Sequence, residues 1–310
     1  MLASLDSLSP PSRPELELDL PSSDKTPPID PIALAQSLEA MPYVKGLGLQ
    51  VASVEAGQVR LSLPFAEDNS NPGGVLHGGV AASLLAIGSR AVARSVLPAD
   101  SGPWVLGQLQ VNYLSAAKEE TVHAEAKLQR RGRALCFVET RVVTDDGTAI
   151  AAATAVVRAR NAGEGNPLPT TFGCEGETPG PLAAVLEKAP FMHRLGMKIE
   201  HMDEGRARVS MAASEQILGD DGAVHDGAML ALLDTTGAMA AWAENGVGRF
   251  KASTASLQAQ MIAPPPKGDV VAYARMGYRD REMFWADTEV ADAATGQVTT
   301  RGTVFYRITE

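Results

Sequence analysis

The stretch HDGAMLALLDTTGAMAAWA, residues 225–243, holds Asp234 in the middle of a run of small and apolar side chains; from Gly227 to Ala243 it is the one charged residue. With Ala, Leu or Met at most positions, the run reads as a helix buried over most of its circumference. A carboxylate buried there without a partner is costly. It must either be satisfied from elsewhere in the fold or be kept for chemistry.

A second run of the same character, HGGVAASLLAIGSRAVARSVL, occupies residues 77–97. Neither suits a lipid bilayer, because one carries Arg90 and Arg94 and the other Asp226 and Asp234. Each is preceded by segments that alternate apolar and polar residues about a glycine, as in GLQVASVEAGQVRLSLPF around Gly57. Strand-like runs follow each helix: 104–114, 121–130, 135–143 and 149–160 after the first, and 254–263, 269–278, 284–292 and 297–308 after the second.

The two series are in register. Pro42 and Pro190, Leu47 and Leu195, Gly57 and Gly205, and His77 and His225 are each 148 positions apart, and the offset becomes 149 only at Gly147 and Gly296. So many Gly, Pro and His coincidences at one spacing indicate an internal repeat. Two copies suit a fused dimer, in which one chain supplies both halves of a two-fold pair.

The expected organisation is a Pro/Ser-rich arm over 1–28, a first domain over 29–160, a Gly/Pro-rich linker over 161–180 and a second domain over 181–310. A helix is expected to start at Pro31, capped by Asp30, and to end before Pro42; another is expected over 181–188. A chain of 310 residues with 45% hydrophobic residues is large enough for two cores.

A net charge of −10 argues against nucleic acid as a partner. Two cysteines outside any CxxC pair suit a reducing compartment. The N-terminus lacks a basic segment followed by an apolar core, so a cytoplasmic location is expected.

The segment Asn71-Pro-Gly-Gly-Val-Leu-His77-Gly78-Gly79 resembles the N-x5-H-G-G segment of hotdog-fold acyl-CoA thioesterases of the phenylacetate-degradation (PaaI-like) type. Asp234, nine residues after His225, resembles the acid on that family's central helix. The resemblance covers both repeats, roughly 41–160 and 189–310. It implies an α+β fold of two fused hotdog domains, each an antiparallel sheet wrapped around one long helix, forming an intramolecular pseudo-dimer. It also implies an acyl-CoA substrate, with no cofactor and no metal.

The repeats depart from the family pattern in complementary ways. The first has Asn71, His77, Gly78 and Gly79 but Ala86 where the acid belongs; the second has Asp234 but Gly219 in place of the Asn and Asp226 in place of the first Gly. In family dimers a site takes its loop and helix start from one subunit and its acid from the other. The resemblance therefore implies one composite site, with Asn71, His77 and Gly78 facing Asp234, and a defective second interface.

Thioester hydrolysis needs a base or nucleophile near the carbonyl and a donor for the developing oxyanion, whereas the thiolate leaves with little help. Gly78 in the first helical turn can offer an unpaired N–H, and Asp234 can activate water or attack directly. Asn71 can orient water or thioester. Thr254 aligns with the hydroxyl residue that supports the acid in some family members, and the first repeat has Leu106 there.

Arg130, Arg131 and Arg133, with Arg279 and Arg281, are candidates for the coenzyme A phosphates, and Gly79 for the substrate's approach. A charged hairpin tip is equally a solvated surface feature. His77 and His225 recur in both halves, which points to a structural task in the loop. Asn71 beside Pro72 suits a local turn, and Trp242, Phe284 and Trp285 suit core or acyl-pocket wall. The alternatives to hydrolysis are a non-hydrolytic acyl-CoA binding module and a hotdog enoyl-CoA hydratase, whose differently spaced Asp/His pair is not found. The sequence leaves open whether the fused unit pairs again as a homodimer.

Overall fold

The computed structural model describes residues 26–132, 135–159, 167–246, 248 and 251–309. The elements of the first half are α1 (Pro31–Glu39), α2 (Pro42–Leu47), β1 (Gln50–Glu55), β2 (Gln58–Leu63), α3 (Gly78–Val96), β3 (Trp104–Tyr113), β4 (Val122–Arg131), β5 (Leu135–Thr144) and β6 (Ala149–Ala159). Those of the second are α4 (Ala183–Leu186), α5 (Pro190–Arg194), β7 (Met197–Asp203), β8 (Arg206–Met211), α6 (Asp226–Asn245), β9 (Lys251–Met261), β10 (Val270–Asp280), β11 (Met283–Asp292) and β12 (Val298–Thr309).

All twelve strands form one antiparallel sheet in the order β1-β2-β4-β5-β6-β3-β9-β12-β11-β10-β8-β7. This order reads as one six-strand arrangement followed by its reverse. The halves meet where β3 pairs with β9, Gln108 opposite Gln260 and Asn112 opposite Ser256. Each half-sheet wraps a long helix, α3 or α6, that is buried along almost its whole length. Helices apolar on every side need such a wrapping, so the fold is two hotdog domains joined edge to edge.

The long helices also touch each other, and glycine makes that approach possible. A Cβ on Gly79 would stand 2.6 Å from the Ala231 Cβ, and one on Gly227 would stand 2.7 Å from the Ser83 Oγ. Gly79 and Gly227 are repeat partners, as are Ser83 and Ala231, so the contacts are one contact seen twice through the pseudo-two-fold axis. Ser83 adds a bond across it, Oγ to the Gly227 carbonyl at 3.1 Å.

The Asp30 cap forms as its sequence suggests, its carboxylate accepting from the Ile32 and Ala33 N–H groups. Helices α2 and α5 were not legible, since six- and five-residue helices are too short to show a period. The helix expected over 181–188 shrinks to Ala183–Leu186. Residues 167–180, within the stretch read as linker, are held to the second half: Arg208 donates to the Cys174 and Gly176 carbonyls. Residues 1–25 of the expected arm and 161–166 of the expected linker lie outside the described residues.

Candidate active site

Between the halves lies a cavity of about 670 Å³ lined from both sides. The first half contributes the 71–78 loop, the start of α3 and Tyr113 from the end of β3; the second contributes Asp234, Thr235, Ala238, Met239 and Trp242 from α6, with Thr254 and Tyr306.

Asp234 is 4% exposed. Its Oδ1 accepts a hydrogen bond of 2.7 Å from the Thr254 hydroxyl. Its Oδ2 faces the start of α3, where a Cβ on Gly78 would lie 2.8 Å away. Burial pushes the Asp234 carboxyl up to about 6, and the Thr254 bond holds it back from rising further. At neutral pH it is mostly a carboxylate with one oxygen committed and the other directed at Gly78.

His77 is the N-cap of α3. Its Nδ1 accepts from the Gly79 N–H at 3.0 Å, and its ring packs on Phe191 at 4.8 Å between centroids. Accepting at Nδ1 leaves the proton on Nε2, and burial lowers the ring to about 4, so His77 stays neutral. His225 does the same for α6, accepting from the Gly227 N–H at 2.9 Å and stacking on Tyr43, and it is lowered to about 3 by burial and then by Arg90. The capping satisfies the second N–H of each helix. Among the described residues the Gly78 N–H donates to nothing, which leaves a first-turn donor at the positive end of the α3 dipole.

Asn71 forms a local turn, its Oδ1 accepting from the Gly73 N–H at 2.8 Å and the Val75 N–H at 3.3 Å. Oδ1 is thereby committed, so Nδ2 is the donor Asn71 can offer the cavity. Tyr113 was not singled out from sequence. Its hydroxyl donates to the Gly78 carbonyl at 3.2 Å, and burial followed by the Asp234 charge holds it well above the usual tyrosine range. A tyrosine ending a strand carries no signal of its own; comparison with Met261, its repeat partner, was the available hint.

Other expected substrate residues lie elsewhere. Gly79 sits in the helix crossing, and Arg130 and Arg131, at the end of β4 beside Phe137 and Cys136, line no part of this cavity. Arg133 lies outside the described residues. Arg279 is tied to the end of α6, donating to the Glu244 carbonyl and Asn245 Oδ1 at 3.4 Å each. Among the described residues no group of three His, Cys, Asp or Glu could hold a metal ion, and no helix is long and apolar enough to cross a membrane.

The pseudo-symmetric interface has a smaller cavity of about 350 Å³, which includes Arg90, Arg94, Trp104, His225 and Asp226. Asp226 stands where the first interface has Gly78, and Arg90 where it has Ala238. They form an ion pair at 2.9 Å, with Asp226 buried and Arg90 partly exposed. Ala86, matching Asp234, is buried without a polar group.

The family model described as "Domain of unknown function (DUF4442)" matches residues 33–158. A Halobacterium salinarum protein named "Putative esterase" is 34% identical over 136 residues, covering 42% of this chain and 89% of that one. A protein of Alicyclobacillus acidocaldarius described as having a hot dog fold superposes with a TM-score of 0.60 at 18% identity, covering 86% of this chain and 98% of that one. The acyl-CoA thioesterase II of Mycobacterium marinum superposes with a TM-score of 0.61 at 12% identity, covering 86% and 97%. The chain has the hotdog fold and belongs to the family of the Halobacterium protein. The Halobacterium protein corresponds in length to one repeat, whereas the two solved structures match across both halves.

Proposed function

We propose that this hotdog protein hydrolyses an acyl-CoA thioester to the free acid and coenzyme A at one composite site per chain. The observation that carries the reading is the facing of Asp234 Oδ2 and Gly78 across the two halves, too close for any side chain at position 78. With its carbonyl oxygen on the Gly78 N–H, a thioester presents its carbonyl carbon to the carboxylate. Asp234 then takes a proton from water as the water adds, or adds directly to give a mixed anhydride that water opens; coenzyme A leaves as the thiolate in either route.

Thr254 fixes the carboxylate so that Oδ2 is the reacting oxygen, and Asn71 Nδ2 orients water or carbonyl. Tyr113 holds the Gly78 peptide. His77 supports catalysis only by setting the first turn of α3. The names of the relatives support hydrolase chemistry at this site, and the Arg90–Asp226 pair supports a silent second interface.

Release of free thiol from a panel of acyl-CoAs by wild type and Asp234→Asn tests the reading. Turnover in the wild type and loss of at least a hundredfold in the variant are expected. Full turnover in the variant would remove Asp234 from the mechanism, and binding without turnover in the wild type would leave a non-hydrolytic binding protein.

A further inference from the structure

The two interface cavities are built from matching positions of the repeats, yet one measures about 670 Å³ and the other about 350 Å³. Arg90 and Trp104 line the smaller one, and their repeat partners in the larger are Ala238 and Ala252; Arg94 gives way to Trp242. The direction of the side chain at the first of these positions is shown by Arg90, whose Nη1 reaches Asp226, the counterpart of Gly78, at 2.9 Å. Through the pseudo-two-fold axis, a long side chain at position 238 would run beside Gly78. Ala238 leaves that space clear.

Asp234, Ala238 and Trp242 follow one another at intervals of four along α6, so they share a face of the helix, with Met239 beside them in the cavity wall. Ala238, Met239 and, from β12, Tyr306 are each no more than 8% exposed. The helix rises about 12 Å from Asp234 to Trp242. Hydroxyls of the wall are already bonded within the protein: Tyr113 donates to the Gly78 carbonyl, Thr254 to Asp234 and Ser115 to the Ala149 carbonyl, and Tyr306 accepts from Trp242 Nε1 at 3.3 Å. Ser253 is exposed. A pantetheine arm laid on this strip would bury its amides without partners, a cost that a hydrocarbon chain does not meet.

We infer that the acyl group lies along α6 over Ala238, with Trp242 at its far end, and that the preferred substrate carries an unsubstituted chain of medium length. Bonds of about 1.5 Å advance an extended chain by about 1.3 Å per carbon, so roughly eight to ten carbons cover the strip. Ala238 is the specificity-determining residue: it stands about 6 Å along the helix axis from the carboxylate, beside the middle of such a chain. This rests on the reading of the cavity as an acyl-thioester site.

The test compares butyryl-, hexanoyl-, octanoyl-, decanoyl- and tetradecanoyl-CoA on wild type, Ala238→Leu and Trp242→Ala. In the wild type kcat/KM should climb by about fourfold per methylene up to octanoyl- or decanoyl-CoA and climb no further at tetradecanoyl-CoA. Ala238→Leu should lower the octanoyl-to-butyryl ratio by about tenfold or more, a ratio taken within one preparation and so independent of how much of it is folded. Trp242→Ala should move the optimum to a longer chain. An unchanged ratio in Ala238→Leu, with or without an equal loss on every chain length, overturns the inference, as does a flat wild-type profile or an optimum that Trp242→Ala leaves in place. If the wild type hydrolyses none of them, calorimetric affinities of wild type and Ala238→Leu for butyryl- and octanoyl-CoA read the same ratio, so failure of hydrolysis and failure of the acyl assignment are separate outcomes.

Discussion

The Asp234 carboxylate and Gly78 belong to different halves of the chain, yet a single added methyl carbon at position 78 would come within 2.8 Å of Oδ2. Gly78→Ala should therefore push the carboxylate off its bond to Thr254 and block the approach of a carbonyl. A loss of turnover of at least a hundredfold is expected, with a modest fall in melting temperature. Both are read from thiol release and thermal unfolding; an active Ala variant would show that the space is not used.

On the proposed mechanism Asp234 also sets a pH dependence. Only its deprotonated form is competent in either chemical route, so kcat/KM should climb as pH rises through about 6 and level off above 7. Its raised value has the opposite effect on stability. The folded state holds the proton more tightly than the unfolded chain, so this contribution is fully present below 3.8 and is lost as pH rises through about 6. Asp234→Asn should consequently be more stable than wild type at pH 8, by on the order of 2–3 kcal/mol, with little difference at pH 4. Urea unfolding at the two pH values measures it.

The capping histidines act in the reverse sense. Their folded values, about 4 for His77 and about 3 for His225, lie below the ordinary 6.5. Their contribution is present above 6.5 and is lost as pH falls through 4 and 3. His77→Asn keeps an acceptor at the N-cap and removes the titration. It should retain most turnover and lose less stability than wild type between pH 6.5 and 4, whereas His77→Ala should cost about 1 kcal/mol or more at neutral pH. Collapse of turnover in the Asn variant, with folding intact, would give the ring a chemical duty.

At the second interface, Arg90→Ala leaves the buried Asp226 without its partner and should destabilise by about 1–3 kcal/mol. The double change Arg90→Ala with Asp226→Gly, which copies the first interface, should be milder than Arg90→Ala alone. If the second interface is silent, neither change alters turnover per chain in the folded fraction. Residual activity near half in Asp234→Asn would instead place a working site there.

Much of this architecture was legible from two apolar helices, the glycines that punctuate each repeat and a constant offset, because periodicity and turn chemistry are local properties of the chain. The pairing of Asp234 with the 71–79 loop was legible only through the repeat and its family resemblance. What escaped were contacts with no local signature. Tyr113 reaches Gly78 from the far end of a strand, and Arg90 meets Asp226 across the pseudo-two-fold axis. Gly79 carries a motif position but is used for the helix crossing, which only the opposing Ala231 reveals. Arg130 and Arg131 show the limit of reading charge along a chain, since a basic hairpin tip does not say which cavity it borders.

The junction between β3 and β9 has a genetic meaning. In a homodimer every substitution appears at both interfaces, so one interface cannot gain Asp226 and Arg90 while the other keeps Gly78 and Ala238. Covalent fusion removes that constraint, and in this chain the two interfaces do differ at both positions. On the proposed site, the halves expressed as separate polypeptides would each be inactive as self-pairs, and only the mixed pair would restore thiol release.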